Sequence, residues 1–164
     1  MDISIVIPAY NEEPNMVPLY NALKKTLDKI TNKYEIILVD DGSKDGTYEE
    51  VYKLNKKDKK IRVIKFKRNY GKASALAAGF EQAEGKIVIT MDADMQDDPE
   101  EIPAMINKLN LGYDLIVGWK YPRKDPFSKI FFSRIFNFLV RRLTKVTVHD
   151  SDCNFRIMRN DVAK

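Results

Sequence analysis

The sequence predicts an α/β domain with a mostly parallel sheet flanked by helices. Three observations carry that prediction. Short runs rich in Ile and Val recur along the chain with little alternation, as strands buried on both faces do. Between them lie segments with apolar residues at three- and four-residue spacing, the pattern of helices that cover such a sheet. The residues best suited to chemistry fall just after the apolar runs, and in open parallel sheets ligands bind outside the carboxyl ends of the strands.

Taken in order, the strands are expected at Ile3–Pro8, Glu35–Asp40, Ile61–Phe66, Ile87–Met91 and Asp114–Gly118. The helices are expected at Met16–Lys29, Thr47–Asn55, Lys72–Ala83 and Pro99–Leu109. Pro99 followed by Glu100 and Glu101 is a good opening, because proline has no amide to leave unpaired and carboxylates suit the positive helix end. The stretch from Tyr121 to Asp125, with Pro122 inside it and Pro126 directly after it, reads as a loop. Phe127 to Leu143 then reads as a helix with an aromatic face, and Lys129, Arg134, Arg141, Arg142 and Lys145 supply basic groups around it. That pattern suits a membrane interface, and a plain core-packing helix fits it equally. The chain reaches Lys164 at what reads as the opening of another helix, so a longer protein is expected.

A length of 164 residues suits one domain, taken as residues 1–164 with an acceptor or membrane-interface segment at 120–145. The chain is 44% hydrophobic and 32% charged, an ordinary globular balance. A net charge of +4 permits an anionic partner without requiring one. Asn55-Lys56-Lys57-Asp58-Lys59-Lys60 reads as a solvated turn, and a nucleic-acid partner is not expected. The single cysteine, Cys153, excludes an internal disulfide and fits a reducing compartment. No signal-peptide pattern or membrane span is read, so the expected location is cytoplasmic, peripheral on the membrane's cytoplasmic face.

Four loops should line one edge of the sheet: Ala9-Tyr10-Asn11-Glu12-Glu13, Asp40-Asp41-Gly42-Ser43, Arg68-Asn69-Tyr70-Gly71-Lys72, and Asp92-Ala93-Asp94-Met95-Gln96-Asp97-Asp98. Two carboxylates one residue apart at a strand end repel each other, and a divalent cation offsets that most simply. Asp92 and Asp94 therefore read as ligands for Mg²⁺ or Mn²⁺, with Gln96 adding a neutral oxygen. Asp97 and Asp98 read equally as caps of the helix near Pro99. Asp41 can accept hydrogen bonds from a nucleobase or ribose, or close a turn of its own. Arg68 and Lys72 bring positive charge to the same edge, and Gly71 permits close backbone approach.

Together, Ile7-Pro8-Ala9-Tyr10-Asn11-Glu12-Glu13, Val39-Asp40-Asp41-Gly42-Ser43, Arg68-Asn69-Tyr70-Gly71-Lys72 and Met91-Asp92-Ala93-Asp94-Met95-Gln96-Asp97-Asp98-Pro99 resemble the family 2 glycosyltransferases. The branch they resemble contains dolichol-phosphate mannosyltransferases and polyprenyl-phosphate glycosyltransferases. The resemblance covers essentially the whole chain and implies a nucleotide-diphospho-sugar transferase fold of the A type. It also implies inverting transfer of a hexose from a GDP-mannose or UDP-glucose type of donor to a polyprenyl or dolichyl phosphate. Carried across, Pro8, Tyr10, Glu12, Asp41, Arg68, Lys72 and Asp92 would bind the nucleotide sugar, and Asp92, Asp94 and Gln96 the metal. Lys120, Lys129 and Ser133 would bind the acceptor phosphate. The first two stand where the family often has arginine, and lysine lacks its bidentate geometry. His149-Asp150-Ser151-Asp152-Cys153-Asn154-Phe155-Arg156 resembles the family's Asp-x4-Phe-Arg string, which puts Asp150 at the catalytic position with Asp152 as the alternative.

A lipid phosphate is already ionised, so Asp150 would orient it. A sugar hydroxyl of a glycan, the alternative acceptor, would need Asp150 as a base. Two further readings compete. A phosphatase using an Asp-x-Asp nucleophile would carry that motif on an early strand, and here it follows the fourth. A non-enzymatic acidic-pocket module using Asp40, Asp41 and Lys72 leaves Asp92–Asp98 unexplained.

Overall fold

A computed structural model describes residues 1–118 and 153–164. The elements are β1 (Ile3–Ala9), α1 (Glu13–Leu27), β2 (Tyr34–Asp40), α2 (Thr47–Lys57), β3 (Ile61–Lys65), α3 (Lys72–Gln82) and β4 (Ile87–Thr90). A 3-10 turn (Pro99–Glu101) then runs into α4 (Ile102–Leu109), followed by β5 (Leu115–Val117), β6 (Arg156–Arg159) and α5 (Asn160–Ala163). The strand order is β3-β2-β1-β4-β6-β5.

β1 pairs in parallel with both β2 and β4, and β2 in parallel with β3, so the ends of β1 to β4 open on one edge as expected. The expected fifth strand exists, but it does not follow β4 in the sheet. β6 runs antiparallel between β4 and β5, with Ile89 opposite Ile157 and Ile116 opposite Ile157. The sheet is mostly parallel, as expected, with β6 the one described strand that runs against the rest. That strand is only Arg-Ile-Met-Arg, too short to show a period.

Burial on both faces holds for β1 and β2 throughout and fails for β3 and β5, whose positions at the sheet edges leave them partly open. Alternation across the pleat builds two layers. Ile3, Ile5 and Ile7 face one side with Leu19, Leu23, Val51 and Ile102 of α1, α2 and α4. Val6, Ile37, Val39 and Val88 face the other with Ala75 of α3. Gly79 lets α3 lie close to β1, since a Cβ there would be only 2.2 Å from Val6 Cγ1.

Pro8 sits within β1, which a central strand tolerates only where its missing amide is not needed. The Ala9 carbonyl accepts from Asp41 on the β2 side and the Val6 carbonyl from Met91 on the β4 side. By alternation Pro8 faces β4, whose pairing ends at Val6 opposite Thr90. Proline thus marks where β1 and β4 part. The chain runs outward from β1 to β3, then returns across the sheet to β4, so the crevice between the ends of β1 and β4 is the sheet's topological switch point.

The other end of the strands is closed by a buried polar cluster. The Ser4 hydroxyl donates to Glu35 Oε1 at 2.6 Å, the Glu84 amide donates to the same oxygen at 2.9 Å, and Arg62 pairs with Oε2 at 2.9 Å. The Gly85 amide donates to Ser4 Oγ at 2.7 Å.

Candidate active site

Three of the loops are tied to one another by side-chain hydrogen bonds. The Asn11 amide donates to Ser43 Oγ, and the Lys44 amide returns a bond to Asn11 Oδ1 at 2.9 Å. Asn11 takes φ +55°, a conformation that asparagine tolerates better than most residues. The Glu12 amide donates to Thr47 Oγ1 at 2.8 Å, and the Gly46 amide to Glu13 Oε2 at 2.9 Å. Asp45 accepts from the Thr47 amide and hydroxyl and from the Glu13 amide. These bonds outweigh the effect of burial and hold its carboxyl below the usual aspartate range.

Asp41, buried at 3% exposure, accepts from the amides of Tyr70 at 2.8 Å and Gly71 at 2.9 Å. It thus pins the loop that carries Arg68 and Lys72. Gly42, at φ +71°, passes so close that a Cβ would lie 2.4 Å from the Arg68 backbone carbon. Gly42→Ala should therefore combine left-handed strain with a backbone clash, destabilising the fold by about 2 kcal/mol and loosening the Arg68 loop. Chemical denaturation, with proteolysis at the loop, measures this.

The acidic loop after β4 divides its aspartates by role. Asp98 Oδ1 accepts from the Glu100 amide at 2.9 Å and caps the 3-10 turn. Asp97 Oδ2 instead reaches back to the Asp92 amide at 3.3 Å. Asp94 Oδ1 accepts from the Gln96 amide at 3.0 Å, and Met95 between them takes φ +61°. Asp92 Oδ1 receives Lys72 Nζ at 2.6 Å and Asn154 Nδ2 at 2.9 Å.

Asp92 Oδ2 and Asp94 Oδ2 accept no hydrogen bond among the described residues. No group of three or more His, Cys, Asp or Glu suited to a metal occurs among those residues. Two such carboxylate oxygens would suit a cation completed by substrate phosphates better than an all-protein cage.

Of the other nucleotide-site residues expected from sequence, Tyr10 is 39% exposed at the end of β1. Glu12, partly buried, accepts from Asn15 Nδ2 at 2.7 Å. Arg68 stacks its guanidinium over the Tyr70 ring at 4.9 Å. Pro8 is buried near the end of β1, where β1 and β4 part. Lys120, Lys129, Ser133, Asp150 and Asp152, with the helix expected over Phe127–Leu143, lie outside the described residues. Sequence reasoning missed Asn154. The available signal was a polar residue lodged between Cys153 and Phe155, both of which are buried.

The paired carboxylates thus lie at the switch point of an α/β sheet, the crevice where ligands of such sheets bind. The chain belongs to glycosyl transferase family 2, whose family model matches residues 4–164. It is 36% identical over its whole length to a dodecaprenyl-phosphate galacturonate synthase from Rhizobium johnstonii, covering 49% of that relative. It is 37% identical over 99% of its length to an undecaprenyl-phosphate 4-deoxy-4-formamido-L-arabinose transferase from Pseudomonas aeruginosa, covering 48% of that protein. The chain therefore spans about half the length of the curated relatives it matches.

Among solved structures, glucosyl-3-phosphoglycerate synthase from Mycobacterium tuberculosis, in complex with Mn²⁺, UDP and phosphoglyceric acid, has the same fold. Its TM-score is 0.76 at 20% identity, over 98% of this chain and 56% of that one. A mannosyltransferase from Pyrobaculum calidifontis, in complex with GDP-mannose and Mn²⁺, matches with a TM-score of 0.63 at 26% identity. That match covers 74% of this chain and 36% of the other.

Proposed function

We propose that this domain transfers a sugar from a nucleotide-diphospho-sugar to a polyprenyl phosphate, with inversion at the anomeric carbon. The observation that carries the proposal is the pair Asp92 and Asp94, each with an oxygen that accepts no hydrogen bond among the described residues, beside the β1–β4 crevice. Sugar relatives named for dodecaprenyl and undecaprenyl phosphates support the acceptor class. Neighbours in complex with Mn²⁺ and UDP or GDP-mannose support the donor class and the metal.

In this reading Tyr10 and Glu12 flank the nucleoside, and Asp41 fixes the loop that carries Arg68 and Lys72 toward the diphosphate. Asp92, Asp94 and Gln96 would hold Mg²⁺ or Mn²⁺, which when bound supplies positive charge against the departing diphosphate. An acceptor phosphate oxygen forms the new bond to the anomeric carbon. The bond from that carbon to the donor phosphate breaks, and its electron pair leaves with the nucleoside diphosphate. The nucleophile is already anionic, so Asp150, or Asp152, would orient the acceptor, with its phosphate on Lys120, Lys129 and Ser133. Such an acceptor resides in a membrane, so the domain would work at a membrane surface. Among the described residues no helix is long and apolar enough to cross one.

Calorimetric titration with UDP and GDP, with and without Mn²⁺, tests the site. Binding of at least one nucleotide that strengthens with Mn²⁺ is expected. Equal binding with and without the metal, or none, overturns the proposal. Mass spectrometry of products from mixed nucleotide sugars and a polyprenyl phosphate then tests the acceptor.

A further inference from the structure

We propose that Asn154 is a positioning residue for Asp92, acting with Lys72 to hold one carboxylate oxygen and leave the other for a cation. The inference rests on the reading of Asp92 and Asp94 as cation ligands. Asn154 Nδ2 and Lys72 Nζ converge on the same atom, Asp92 Oδ1, at 2.9 and 2.6 Å. A carboxylate held at one oxygen by two donors has a restricted torsion, and Oδ2 accepts no hydrogen bond from the described residues.

The two donors do different work. Asn154 is 7% exposed, and its backbone is pinned on both sides of the amide. Its carbonyl accepts from the Thr90 hydroxyl, at the end of the strand that leads to Asp92. The neighbouring Cys153 carbonyl accepts from Arg156 Nε at 2.9 Å. The Asn154 donor is therefore anchored to the strand whose ligand it orients, and a buried amide gives up such a bond only at a cost. Lys72 opens α3 on a side chain that is 49% exposed. It offsets the charge of the paired carboxylates while no cation is bound, but its long stem fixes direction poorly.

This division gives opposite signs for two substitutions. Asn154→Ala frees the Asp92 torsion and should weaken binding of Mn²⁺ alone about tenfold, as loss of an outer-shell partner does. Lys72→Met removes a like charge from beside the cation and should strengthen binding of Mn²⁺ alone by about fivefold. The full chain is titrated with Mn²⁺ and free Mn²⁺ is followed by electron paramagnetic resonance, with thermal unfolding in parallel. Asn154→Leu keeps the buried volume without the donor, and it serves if the alanine variant does not fold. A merely structural Asn154 would lower the unfolding midpoint and leave Mn²⁺ affinity within twofold of the unsubstituted chain. That result in either folded variant overturns the inference while leaving the cation site standing. Absence of Mn²⁺ binding by the unsubstituted chain overturns the cation reading, and this inference with it.

Discussion

Asp92→Asn is expected to abolish the Mn²⁺-dependent part of nucleotide binding and to slow transfer about a hundredfold or more. The substitution keeps the shape of the side chain and leaves an oxygen to accept the 2.9 Å bond from Asn154. It removes the charge that makes the other oxygen a ligand for a hard cation. The fold should survive, because the Lys72 partner lost in the exchange is half exposed and solvent replaces the pairing at little cost. Calorimetry with Mn²⁺ and UDP or GDP, rate measurement and a thermal scan together separate these effects. Loss of binding with an unchanged unfolding midpoint is the expected pattern. Retained metal dependence would remove Asp92 from the site.

Glu35→Ala is expected to act in the opposite way, on stability and not on the site. Its side chain is 3% exposed and receives the Ser4 hydroxyl, the Glu84 amide and Arg62, all at the strand ends remote from the acidic loop. Truncation leaves these donors facing a void. A cost of about 3–5 kcal/mol follows, or roughly 10 °C in the unfolding midpoint.

The pH dependence has a definite sign. Burial pushes the Glu35 carboxyl up, but the bonds from Ser4 and Glu84 and the Arg62 charge outweigh it and leave it below the ordinary glutamate range. The folded state thus favours the ionised form. Its contribution is fully present above the unfolded value of about 4.3 and is lost as pH falls through the lower folded value. The stability gap between the unsubstituted chain and Glu35→Gln should therefore narrow on acidification below about pH 4.3. A gap that is constant with pH, or that widens in acid, would contradict this account of Glu35.

The parallel half of the sheet was legible because β1 and β2 are central and buried throughout, so their sequences carry no alternation to confuse with a surface strand. The four ligand-edge loops were legible for the same reason. Once four parallel strands are placed, their carboxyl ends share an edge whatever the loops contain.

The loop roles were less legible, since an aspartate at a strand end can bind a ligand, cap a turn or tether another loop. Asp41, Asp97 and Asp98 look alike in sequence. Only packing assigns the first to the Tyr70 and Gly71 amides, the second to the Asp92 amide and the third to Glu100.

By itself, then, the amino-acid order determined an α/β sheet, the edge on which the four loops gather, and a carboxylate pair on that edge. The tertiary structure decided what a linear pattern does not encode. It inserted β6 antiparallel between β4 and β5, which delivers Asn154 to Asp92 across 62 positions of sequence. It also set Lys72 against the same oxygen. The physical reason is that strand periodicity reports burial, whereas a contact between distant residues depends on which strands pair, and that is settled by the packing of the whole sheet.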